Sequence, residues 1–149
     1  MHKKLVFIVV IGVLISLVFV SCNMMGGRLS KEEQVKKRLN ELFEICKSGD
    51  FSKADEYLVY RGKDKDRKWK DVYDYSNANE RTRVDNTCRR IKRDLDVYGP
   101  YEITKYTVKS ESEGEWNILE VTFKDGDGSG KRLFAFLKIK GNWALGDID

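Results

Sequence analysis

The chain has 149 residues, of which 35% are charged and 41% hydrophobic, the balance of one soluble domain of ordinary size. Its formal net charge of +4 is too small to argue for nucleic acid. The single histidine is His2, so a chain cut beyond it has none. That excludes a Ser-His-Asp triad, a Cys-His pair, histidine acid-base chemistry and histidine-ligated zinc.

Residues Leu5 to Val20 carry no charge, Lys3 and Lys4 stand before them, and Ser21 and Cys22 follow. A basic start, an apolar run and a small residue before a cut make a secretory signal. Cutting before Cys22 leaves 128 residues and removes two of the 28 basic residues against 24 acidic ones, so the net charge falls to +2. The other readings are plain secretion and an uncleaved signal anchor, since residues 5–25 hold no charge, close to the ~20 residues a spanning helix needs. The stretch Val18-Phe19-Val20-Ser21-Cys22 resembles a bacterial lipobox. That resemblance implies diacylation of Cys22, with palmitate-type chains anchoring the protein in the membrane of the bacterial cell envelope, facing periplasm or exterior. Asn23 to Leu29, with Gly26-Gly27, has no apolar pattern and reads as a short flexible tether. The chain therefore divides into a signal at 1–21, a lipidated Cys22 and tether at 22–29, and one domain at 30–149.

Ser30-Lys31-Glu32-Glu33 has the form of a capping box. Val35, Leu39, Leu42, Phe43 and Cys46 then repeat at helical spacing, and Gly49 marks a stop. A shorter helix is expected near Ser52, with Ala54, Tyr57 and Leu58 inward. Arg61 to Asp71 carries six basic and three acidic side chains with the signs interleaved. It reads as a solvated loop, or else as a contact patch for acidic groups. Trp69, Val72, Tyr73 and Tyr75 suggest a short strand. A long helix follows over about 79–98, with Val84, Cys88, Ile91 and Leu95 on one side and Gly99-Pro100 as its end. Arg89, Arg90, Lys92 and Arg93 form a basic stripe on it, partly neutralised by Asp85, Asp94 and Asp96, and read as a solvated face.

Beyond Pro100 the period changes from helix to strand. Ile103 to Val108 is the least regular candidate. Leu119, Val121 and Phe123 alternate opposite Trp116 and Ile118; Leu133, Ala135, Leu137 and Ile139 alternate opposite Phe134 and Phe136; Trp143 and Leu145 close the series. Glu113-Gly114, Asp125 to Gly130 and Gly141-Asn142 supply hairpin turns. Helices followed by a meander predict an α+β domain whose N-terminal helices pack on a curved antiparallel sheet.

Two features invite chemistry and have plainer readings. Asp125-Gly126-Asp127-Gly128-Ser129-Gly130 matches the first half of a calcium loop, but Phe136 stands where the bidentate Glu belongs, so a glycine-rich hairpin turn is expected and no metal. Cys46 and Cys88 lie on the apolar sides of the two long helices. In an oxidising compartment they form a disulfide, closing a loop of about 43 residues for ~4 kcal/mol on a chain-entropy account. Otherwise they are two free thiols in the core.

The order helix, short helix, short strand, long helix and meander, with Gly49-Asp50-Phe51 after the first helix and a closing Gly141-Asn142-Trp143, resembles the nuclear transport factor 2-like (cystatin-like) fold. The resemblance implies a sheet curled into a cone with one open mouth, and it allows a homodimer through paired sheets. Members include enzymes, carriers and interaction modules, so function is not settled by it. In such a cone Tyr101, Tyr106, Trp116, Phe134 and Phe136 either line an apolar pocket or simply pack under the helices. With no histidine in the domain and no nucleophile motif, the expectation is a non-enzymatic, lipid-anchored envelope domain that binds a partner protein or a small apolar ligand and needs no cofactor. The alternatives are an isomerase- or dehydratase-like enzyme with an Asp base such as Asp74 or Asp85 in an apolar pocket, or a purely structural envelope lipoprotein.

Overall fold

The computed structural model describes residues 27–124 and 130–149. The expected signal at 1–21, Cys22 with the first part of the tether, and Asp125 to Ser129 of the glycine-rich turn lie outside the described residues.

Helix α1 spans Lys31–Ser48. The Ser30 hydroxyl accepts the Glu33 N–H at 3.2 Å, and the Glu33 carboxylate accepts the Ser30 N–H at 2.8 Å. Both bonds satisfy donors that the first helical turn leaves open. Gly49 ends the helix at φ 84°, a left-handed value that suits glycine. Val35, Leu39, Leu42, Phe43 and Cys46 are buried, as their spacing predicts.

The short helix expected near Ser52 is instead two 3-10 turns, Phe51–Lys53 and Asp55–Tyr57. Asp50 accepts the Ser52 N–H, and Asp55 accepts the N–H groups of Glu56 and Tyr75. Such side-chain bonds close single turns in competition with a continuous helix. Ala54, Tyr57 and Leu58 still point inward. The strand expected near residues 69–75 shrinks to one antiparallel bridge, Val59 to Val72. The N–H groups of Lys68 and Asp71 reach back to the carbonyls of Asp64 and Arg67, so this stretch turns before it can extend.

Helix α2 spans Ala78–Tyr98, capped by Asn77, whose side chain accepts the N–H groups of Asn79 and Glu80. Its buried side holds Val84, Cys88 and Ile91, and also Glu80 and Asp94. Neither acid is bare: Arg67 meets Glu80 at 2.7 Å, and Arg93 and Arg132 meet Asp94 at 3.1 and 3.4 Å.

Four antiparallel strands follow in chain order, β1 Tyr101–Glu111, β2 Gly114–Phe123, β3 Gly130–Ile139 and β4 Asn142–Ile148. The architecture is thus α+β, two long helices on a four-stranded meander. The register pairs Leu119 with Phe134 and Phe136 with Leu145 on the helix side of the sheet. Register shifts at Ile103/Lys105 and Ala135/Phe136 interrupt the ladders.

The sheet has a core on each face. Between sheet and helices, Leu39, Leu42, Phe43, Val84, Leu119, Val121, Phe134 and Phe136 form the main cluster. On the far face Val59, Trp116, Leu137, Ile139 and Ala144 form a second one, covered by Trp69 and Val72. The charged stretch 61–71, which reads in sequence as a solvated loop, is therefore also part of a lid on this second cluster. Among the described residues no helix is long and apolar enough to cross a membrane.

Candidate functional site

Of the five aromatic residues expected to line a pocket or to pack under the helices, Tyr101, Tyr106, Phe134 and Phe136 share the helix-side core, and Trp116 stands apart. Phe134 and Phe136 are buried in the main core, where Phe43 meets Phe134 edge to face with ring centroids 5.2 Å apart. Tyr101 packs on Phe43 at 4.9 Å and donates its hydroxyl proton to Asn40, 2.7 Å away. Tyr106 is half-buried and donates to the side-chain oxygen of buried Asn117, whose amide donates to the Glu115 carbonyl at 3.1 Å. Burial pushes both phenols above their ordinary pKa. Trp116 lies on the opposite face of the sheet, edge to face with Trp69 at 5.7 Å. Helix-side space that a cone ligand would need is occupied by Phe43, Phe134 and Phe136.

Cys46 and Cys88 are free thiols, both buried, on α1 and α2. They are neighbours: the hydrogen bond with Cys88, then burial, pushes the Cys46 thiol far above its ordinary pKa. Asp74 is exposed, and hydrogen bonds from Ser76 hold its carboxyl below the usual range. Asp85 is half-buried and accepts the Tyr75 hydroxyl proton at 2.9 Å.

A concavity opens elsewhere, between the outer side of α2 and the end of β4, with a volume of about 460 Å³. Its apolar part comes from Leu58, Val59, Leu145 and Ile148. The 3-10 turns deliver Leu58 and Val59 there: Leu58 bridges Leu145, and the Val59 N–H donates to the Leu145 carbonyl at 2.9 Å. One wall is the α2 stripe Arg83, Asn86, Thr87 and Arg90, at spacings of three, four and seven that share one side of a helix. The Thr87 hydroxyl donates back to the Arg83 carbonyl at 3.0 Å. The other wall holds Arg61, Tyr73, Gly146 and Asp147.

Arg61 is fixed on that wall. Its Nη1 donates to the Gly146 carbonyl and to Asp147 Oδ1, each at 2.8 Å, and its guanidinium lies 5.1 Å from the Trp69 ring centre. Its own N–H donates to the Tyr73 hydroxyl at 3.3 Å. The lining thus has three guanidiniums and one carboxylate. Arginine stays protonated and presents a planar fork of donors, so the three guanidiniums can bind and orient a charge but not exchange protons.

The sequence places Arg61 at the head of the charged stretch 61–71, a solvated loop or else a contact patch for acidic groups, places Arg90 in a solvated stripe, and gives no signal for Arg83 alone. The available signal is the spacing of Arg83, Asn86, Thr87 and Arg90, a polar line running beside Val84, Cys88 and Ile91. What it faces depends on β4, whose Ile148 lies 58 residues beyond Arg90 and which α2 itself does not reveal. No family model matches the chain, and neither a curated protein nor a solved structure matches it.

Proposed function

We propose that this chain is a non-enzymatic, lipid-anchored domain of the bacterial cell envelope that binds a partner protein or ligand. The observation that carries the binding role is the cleft between α2 and β4, with its apolar floor and its permanently charged donors on both walls. Clefts of this size with a few placed polar groups are where proteins hold ligands. An apolar ligand inside the sheet has less in its favour, because aromatic side chains fill that side. The order of helix, short turns, long helix and meander supports a cystatin-like curl, and the two ladder interruptions supply the bends a curled sheet needs. The anchor rests on the run Leu5 to Val20 and on Cys22.

Two measurements test the halves of this reading. Labelled palmitate should enter the wild-type chain and not Cys22→Ser; an unlabelled wild type released into the medium would remove the anchor. The native mass of the full chain, purified in mild detergent from its own host, should exceed the denatured mass by a bound species that Arg83→Gln loses. Equal masses, with no partner cross-linking to the cleft, would remove the binding role.

A further inference from the structure

We propose that the cleft is an oxyanion site for a soluble carboxylate- or phosphate-bearing ligand, and that Asp147 holds the ligand's place while the site is empty. This rests on the cleft being the binding site and names what it binds.

The basic residues of α2 sort into two groups. Arg89 pairs with Asp85 at 3.8 Å, Lys92 with Asp96 at 3.0 Å and Arg93 with Asp94 at 3.1 Å. Arg83 and Arg90, on the stripe facing the cleft, meet no carboxylate among the described residues. Among the described residues Arg90 donates to the Ile148 carbonyl alone, at 3.5 Å. Seven positions separate them, about 10 Å along the helix axis, and the Asn86 amide stands between. Unpaired guanidiniums over an apolar floor, with a third opposite, make an electropositive trough in which a planar oxyanion can take two donors from one fork.

The structure already holds one carboxylate in the trough. Asp147 Oδ1 accepts from Arg61 at 2.8 Å, and both side chains are about half exposed. An incoming oxyanion meets Arg83 and Arg90 unopposed and competes with Asp147 for Arg61. The trough also lies away from the start of α1. The Trp143–Gln34 hydrogen bond keeps the start of α1 beside the start of β4, and the Lys31–Glu115 ion pair ties it to the start of β2. From Trp143 to Ile148 the strand rises about 17 Å. That geometry favours a solute over the headgroups of the membrane holding the anchor.

Calorimetric titration of the full chain in neutral detergent, at fixed ionic strength, tests this with inorganic phosphate and separately with succinate. A saturable single site for either anion is expected. Arg83→Gln and Arg90→Gln should each weaken it about tenfold, the scale of one charge-assisted hydrogen bond, and Arg89→Gln should leave it unchanged. Asp147→Asn should tighten binding, a gain that loss of a mere structural brace would not produce. No saturable heat with either anion, an equal effect of Arg89→Gln, or unchanged affinity in Asp147→Asn would overturn the proposal. So would binding to phosphatidylglycerol vesicles, lost in Arg83→Gln, with both soluble anions silent, since the ligand would then be a headgroup. Silent titrations beside normal palmitate labelling and a bound partner would sink this inference alone. Failed labelling would sink the anchor and leave the titration standing.

Discussion

Arg67 makes three kinds of contact at once. Its guanidinium donates to Glu80 at 2.7 and 3.2 Å, to Asp71 at 3.2 Å and to the Val72 carbonyl at 2.9 Å, and it stacks 4.2 Å from the Tyr60 ring centre. Glu80 is 8% exposed and also accepts the Asp74 N–H at 2.7 Å. The hydrogen bonds to Glu80 hold the Arg67 guanidinium above its already high pKa. Removing Arg67 leaves a buried carboxylate short of donors, so Arg67→Ala should lower stability by about 2 kcal/mol. Urea unfolding measures this, and a loss below about 0.5 kcal/mol, the scale of an exposed pair, would mean the pair is slack. Gly146 is constrained differently. A Cβ there would stand 2.6 Å from a ring carbon of Trp116, closer than packed atoms come. Gly146→Ala should therefore cost about 2 kcal/mol by overpacking the far-face cluster. A neutral result would show that the Trp116 ring has room to move.

Among the elements, those with local signals were legible in the sequence. Helix α1 announces itself through Ser30 and Glu33 at one end and Gly49 at the other; α2 and the later strands follow from spacing with the Gly99-Pro100 stop and the hairpin turns, whereas β1, expected over Ile103 to Val108, runs over Tyr101–Glu111. Ser30→Ala removes a side-chain cap and should cost about 1 kcal/mol. Its effect should concentrate in faster hydrogen exchange over the first turn of α1, while α2 stays protected; uniform loss across both helices would contradict that. The illegible parts depend on partners distant in sequence. Residues 61–71 look like a solvated run because charge signs alternate, yet Arg67 and Asp71 are drawn in by Glu80 and by Lys140, the latter 2.8 Å from Asp71. Alternation assigned Trp116 and Phe134 to faces within their own strands. Only the register, Leu119 against Phe134, shows that those faces are opposite ones. The Arg-lined cleft was hidden for the same reason, since its lining comes from four separated segments.

For the molecule as a whole, ionisation sets an acid limit. Glu33, Asp50, Asp71, Asp74, Glu113, Glu115 and Glu120 all have carboxyl pKa values held below the ordinary range. The Ser30 backbone N–H does this for Glu33, Lys140 for Asp71, Lys31 for Glu115 and Thr104 for Glu120. The unfolded chain binds these protons more readily than the folded one, so their contribution is whole above the unfolded value of about 4 and fades as pH falls below it. The urea midpoint should stay level between about pH 7 and 5 and drop below about pH 4. Asp71→Asn should flatten that drop; an unchanged slope would mean that Lys140 and Asp71 do not act as a pair.

The Trp69–Trp116 pair gives the molecule an optical handle. Two indoles at 5.7 Å and 76° should couple their excited states, and the circular-dichroism couplet expected from them would belong to the far face of the sheet and not to the helices. Detachment of residues 59–72 would erase the couplet while the helical signal persists, so partial opening can be separated from global unfolding without a label. Arg61 extends the handle to the cleft, because one guanidinium lies against both Trp69 and Asp147. An anion that draws Arg61 away from Asp147 changes the charge over the Trp69 ring, and the emission of that indole then reports occupancy.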